Sequence, residues 1–137
     1  MREKSIALKE DKNLFYFLVI LTILFERLSI YFSPREIHLE IFGIIIHHFW
    51  FGVIILVVSF LISEKSMHLV KLCLGAIGTG LICNELIFML FGAGLYPQYW
   101  SLPSIIGMIF MACFVFIFRQ SISNFILNKN VFKPKKS

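Results

Sequence analysis

Four apolar runs, separated by short polar segments, organise the chain; they cover about 14–32, 41–62, 69–92 and 104–122. A hydrocarbon core of roughly 30 Å needs about 20 apolar residues per helix, so each run is long enough to cross it. The breaks between them carry their own signals. "SPREIHLE", residues 33–40, holds Pro34, which cannot continue a helix and biases Ser33 away from helical geometry. "SEKSMH", residues 63–68, is short and polar. "AGLYPQYWSLP", residues 93–103, has no charge but contains Tyr96, Tyr99 and Trp100, whose rings favour the headgroup level of a membrane. Short connections make neighbouring spans antiparallel partners. The predicted fold class is therefore all-α: a polytopic membrane protein with four transmembrane helices in an antiparallel bundle, forming one integral membrane domain. The first run resembles a signal sequence in having a basic leader and an apolar stretch. It lacks a small-residue cleavage site, and Glu26-Arg27 follows its apolar core, so it is expected to stay as a span.

Composition agrees with that pattern. Hydrophobic residues make up 58% of the chain and charged ones only 15%, against about half and about a quarter in a soluble domain. Charge placement adds an orientation. Lys and Arg cluster in the N-terminal segment, at Lys65 and Lys71 around the second connection, and in the tail "NKNVFKPKKS". The first connection has only Arg35 and the third has none. Basic residues accumulate on the cytoplasmic side, which predicts both termini in the cytoplasm of a multi-pass cell-membrane protein. The net charge of +5 is thereby explained without nucleic acid, since no basic surface domain exists to present a patch. Cys73, Cys83 and Cys113 lie in apolar runs at unrelated spacings, without a Cys-x-x-Cys pair, and read as small buried side chains.

The runs are not purely apolar, and their ionisable residues fall at similar depth. Counting 1.5 Å per residue from each span's midpoint puts Glu26 roughly 5 Å outward of the midplane, His47 and His48 roughly 5 to 7 Å, and Glu85 roughly 7 Å. Arg27 and Asn84 join the same layer. Such residues are costly in hydrocarbon, normally face the bundle interior and pair with one another. The layer is thus a candidate proton, metal or ligand site, or a polar network that fixes helix register. Adjacent histidines point about 100° apart on a helix, so one can face the bundle centre while the other faces a neighbour. His47 or His48 with Glu85 and Glu26 would supply zinc-type ligands for a divalent metal, with water completing the coordination. Glu-His chains also suit proton relays, although no ionisable residue continues the path through the inner half of spans two and three. Glu36, His38 and Glu40 lie at the outer boundary, where they are either simply solvated or the vestibule of the same site.

"LGAIGTGLICNELIF", residues 74–88, places three glycines before Asn84-Glu85. The glycine order does not fit a nucleotide loop, and no strand precedes it. Gly75, Gly78 and Gly80 on span three, and Gly52 on span two, are expected to permit close helix approach.

"IHHFWFG" followed by "GAIGTGLICNE" resembles a group of small, largely uncharacterised four-span membrane proteins of archaea and bacteria. These pair a His-His-aromatic-aromatic-Gly motif with a Gly-rich motif ending in Asp-Glu. The resemblance carries His47, His48, Gly52, Gly78, Gly80, Leu81 and Glu85, with Asn84 where Asp is expected. It implies that the His pair and Glu85 belong together, and it implies no chemistry. Three functional expectations follow. The first is binding or movement of a proton, metal ion or small polar ligand that enters from outside. The second is a structural or accessory membrane subunit, with a homo-oligomer or another membrane protein as partner. The third is an intramembrane metal-assisted hydrolase acting on lipid.

Overall fold

The computed structural model describes residues 2–32, 39–41, 44–46, 48–62, 64–91 and 100–127. In chain order these form α1 (Arg2–Phe32), a small ribbon of β1 (Leu39–Ile41) and β2 (Ile44–Ile46), α2 (His48–Leu61), α3 (Glu64–Phe91) and α4 (Leu102–Ile126). The architecture is a helical bundle with α3 at its centre, packed against α1, α2 and α4, and with α1 also touching α4. Among the described residues, three segments are long and apolar enough to cross a membrane: Asp11–Phe32, Met67–Leu86 and Leu102–Ile126.

The interior is built from regular stripes. Phe15, Val19 and Ile23 recur at helical spacing on α1 and are fully or almost fully buried. They meet Leu72, Ala76 and Cys83 of α3 and Val115 of α4, and Ile126 and Leu127 close the same core. Glu26 and Arg27 continue the α1 stripe, so they enter the interior at positions where an aliphatic side chain would otherwise sit. The outer surface reverses the pattern of a soluble protein. The buried positions of α4 are Ser104, Gly107, Val115, Ser123 and Ile126, while Phe110 and Ile117 are 63% and 70% exposed. Small residues inside and large apolar ones outside are what helix association in lipid requires, because lipid tails give no hydrophobic drive between helices. Cys113 belongs to that outer surface and not to the core, whereas Cys83 is buried and Cys73 partly so.

Close helix approach is concentrated at glycines. A Cβ on Gly78 would lie 2.8 Å from the Gly52 carbonyl oxygen and 2.9 Å from the Leu56 nitrogen. A Cβ on Gly80 would lie 2.8 Å from Thr22 Cβ and 3.0 Å from the Val19 carbonyl oxygen. Thus α2 and α1 press backbone-close onto two faces of α3.

The second apolar run departs from its expected form. Instead of one helix over 41–62, it begins as ribbon and becomes helical only at His48. Leu39 pairs with Ile46, Glu40 with Ile45 and Ile41 with Ile44. The β-branched triplet Ile44–Ile46 favours a strand. The 14-residue α2 is about 21 Å long, shorter than the other three. At the second connection the helical run bends at Met67 (φ −140°, ψ 44°), which turns the chain into the long axis of α3. α4 starts cleanly, with Ser101 extended before it, Pro103 in its first turn and Ile105 N–H donating to the Ser101 carbonyl at 3.1 Å.

Candidate functional site

The interior stripe of α1, the buried face of α3 and the first turn of α2 meet at Glu26, His48 and Glu85. Glu26 and Glu85 are 4% and 3% exposed, while the His48 side chain is 54% exposed. The cluster therefore has a buried acidic floor and an imidazole at its rim. One ligand-type atom from each of the three residues lies within 4.8 Å of the other two. His48 Nδ1 is 3.2 Å from Glu85 Oε1 and 3.5 Å from Glu26 Oε1.

Each carboxylate is oriented by its other oxygen. The Asn84 amide Nδ2 donates to Glu26 Oε2 at 2.7 Å. The Phe49 backbone N–H donates to Glu85 Oε2 at 2.7 Å. The Glu85 bond also serves α2, because the first N–H groups of a helix have no partner within it and carry partial positive charge. Asn84 is fixed in turn by Arg27, whose Nε donates to Asn84 Oδ1 at 2.8 Å. Arg27 Nη2 donates to Ser104 Oγ at 3.1 Å, and its guanidinium lies over the Trp100 ring, 5.7 Å from the centroid. One cation on α1 thus ties α3 to the start of α4. Glu26 Oε1, by contrast, is buried and has no hydrogen-bond partner among the described residues, with His48 Nδ1 at ion-pair distance, 3.5 Å.

These contacts set what the site can do. Neutral imidazole has one N–H and one lone pair. If Nδ1 carries the proton, it donates to Glu85 Oε1 at 3.2 Å and faces Glu26 Oε1 at 3.5 Å. If Nδ1 carries the lone pair, three electron-rich atoms face one another and repel. Either a proton or another cation must occupy the space among them. Arg27 is linked to Glu26 through Asn84, which places its charge in the same network as the two acids.

Of the expected layer, Glu26, Arg27, His48, Asn84 and Glu85 are brought into one connected network. His47 lies outside the described residues, as do Glu36, His38, Tyr96 and Tyr99, and so does the side chain of Glu40. His48 opens α2 at the end of the ribbon and does not lie inside a continuous helix over 41–62. Ser104 and Trp100 complete the network and were not singled out for it. Nothing local in "YWSLP" marks them as partners of Arg27, because the contact depends on how α4 enters the bundle.

A second polar contact sits at the other end of α3. Lys71 is 1% exposed, and its Nζ donates to the Ile62 carbonyl at 3.1 Å, just beyond the last turn of α2. Read from sequence as a basic residue at a connection's edge, Lys71 is instead an interior group. Nearby, His68 Nε2 lies 3.5 Å from Asp11 Oδ2, linking α3 to α1. The chain matches no protein-family model, no curated protein and no solved structure.

Proposed function

We propose that the chain is a multi-pass membrane protein that binds a cation, reaching it from the outer face, at Glu26, His48 and Glu85. In this arrangement α1, α3 and α4 cross the bilayer, and α2 with its ribbon completes a fourth passage, neighbouring passages running antiparallel. Both termini lie in the cytoplasm, as the Lys and Arg distribution favours. The observation that carries the reading is the convergence of Glu26 Oε1, Glu85 Oε1 and His48 Nδ1 around one point, with Glu26 Oε1 buried and lacking a hydrogen bond. An intramembrane acid left in that condition marks an ion or proton site more readily than a packing contact, since packing alone would satisfy it. The exposed His48 supplies the entry. Close glycine contacts of α3 with α1 and α2 pack the bundle tightly below the site, which suits binding from one side better than a continuous pore.

The test is the melting temperature of the purified full-length protein, measured with Na⁺, K⁺, Mn²⁺ or Zn²⁺ and across about pH 5 to 8, where imidazole titrates. A ligand that binds only the folded state raises that temperature. The native protein should respond to a cation or to pH, and the Glu26→Gln/His48→Gln protein should lose the response. Equal behaviour of the two proteins would overturn the proposal.

A structural reading has its own support, because Glu85 caps α2 and Arg27–Asn84–Ser104 joins three helices. It predicts loss of stability without any cation response. The hydrolase reading gains little from Ser104. Its oxygen accepts from a guanidinium, which cannot take a proton from it.

A further inference from the structure

We infer that the cation is a divalent transition-metal ion of the zinc type, held by Glu26 Oε1, His48 Nδ1 and Glu85 Oε1. This rests on the cation site proposed above and names its occupant. Four features select it. The first is spacing. Ligand atoms around a tetrahedral ion with bonds of about 2.0–2.1 Å lie about 3.3 Å apart. His48 Nδ1 stands 3.2 and 3.5 Å from its two carboxylate oxygens, close to that spacing, and all three donors lie within 4.8 Å of one another.

The second feature is orientation. Metal-binding side chains are held by hydrogen bonds from a surrounding shell, and this shell contributes to affinity. Here the Oε2 atom of each carboxylate takes an N–H donor, from Asn84 for Glu26 and from Phe49 for Glu85, which turns both Oε1 atoms to the same point. Asn84 is itself secured by Arg27. The third feature is the buried, unbonded Glu26 Oε1. The fourth is donor type. One imidazole and two carboxylates suit zinc, manganese or iron, whereas calcium and magnesium favour oxygen alone and copper(I) favours sulfur.

Three protein ligands leave a fourth position. It opens beside the half-exposed His48, so water or an exchangeable group from outside would occupy it. That geometry is the one catalytic and transfer sites share, in contrast to closed structural sites.

The experiment uses the full chain, purified, stripped with chelator and titrated with Co²⁺ followed by Zn²⁺. Near-stoichiometric Co²⁺ uptake, with the intense visible absorption of four-coordinate cobalt and its displacement by Zn²⁺, is expected. Glu26→Gln and His48→Gln should abolish the spectrum, the latter without disturbing folding because it lies at the rim. His68→Gln, which changes the other acid–histidine pair, should keep it. No cobalt spectrum in the native protein, an unchanged one in both site variants, or its loss in His68→Gln would overturn the assignment. A native protein that ignores metal yet shows the pH response lost in Glu26→Gln/His48→Gln would leave the cation reading in place with a proton as occupant. Absence of both responses would remove the two together.

Discussion

Lys71 and Glu85 hold opposite ends of the same neighbouring helix. The Lys71 ammonium donates to the carbonyl just past the end of α2, and the Glu85 carboxylate accepts the Phe49 N–H at its start. They stand about four turns apart on α3, the span of the 14-residue α2 itself. Each charge faces the helix end of opposite partial charge. The shortest helix of the bundle is thus splinted by its neighbour.

Glu85 has two separable tasks, and two substitutions should divide them. In Glu85→Gln the amide oxygen can still accept from Phe49, while the negative charge is gone. Cation response should vanish with stability nearly kept. Glu85→Ala should lose the response and also the cap, at about 1–2 kcal/mol. Melting temperatures with and without added cation separate the cases. Equal destabilisation by both variants would tie Glu85 to structure through its charge alone.

Lys71 should prove less costly to remove than its burial suggests. Lys71→Met keeps most of the stem and relieves the desolvation of a buried ammonium, which offsets the lost carbonyl bond. The expected net change is under about 1 kcal/mol. Lys71→Ala also leaves a cavity and should cost about 2 kcal/mol or more. Denaturation of the two variants in the same detergent checks the order.

Among the glycines, backbone neighbours should decide the ranking. A methyl at Gly78 collides with the backbone of Gly52 and Leu56, so α2 must move away from α3. Gly78→Ala should cost about 1–3 kcal/mol. A methyl at Gly75 meets only the Ile126 side chain, 2.6 Å from its Cγ2, which can rearrange at the end of α4. Gly75→Ala should be the milder change by thermal melting; the reverse order would show that α4 is held more rigidly than α2.

Asn84 should matter to the ion without touching it. Asn84→Ala frees Glu26 Oε2 from its donor, and metal affinity should fall by about 10–100-fold. Asn84→Asp is expected to weaken the fold as well, since it sets a second carboxylate where an amide now donates to Glu26 at 2.7 Å. Cobalt titration and melting, run on the same samples, report the two effects separately.

Hydrophobic run length was enough to place α1, α3 and α4, because a span's length is fixed by the membrane it must cross. It was also enough to set Glu26 beside Glu85, since depth follows from residue count. The second run was misread as one helix because apolar periodicity cannot distinguish a buried helix from a strand in "EIFGIII"; the Ile triplet carried the missing signal. For the same reason His48 is the first residue of a helix and not part of one that begins at Ile41. Lys71 was legible as a charge but not as a buried one, and Ser104 and Trp100 reach Arg27 only through the packing of α4.

The shortness of α2 has a consequence for the surrounding lipid. At about 21 Å it falls roughly 9 Å short of an average hydrocarbon thickness, while α4, at 25 residues, exceeds it. In the proposed arrangement, where only a short ribbon completes the α2 passage, the bilayer would thin on the α2 flank, while α4 would tilt or the bilayer would thicken beside it. His48 begins α2 on that flank, so in this arrangement the headgroup boundary would dip toward the imidazole. Acyl-chain length then becomes a control on access: short-chain lipids open the rim to water, and long-chain or sterol-rich membranes draw hydrocarbon across it.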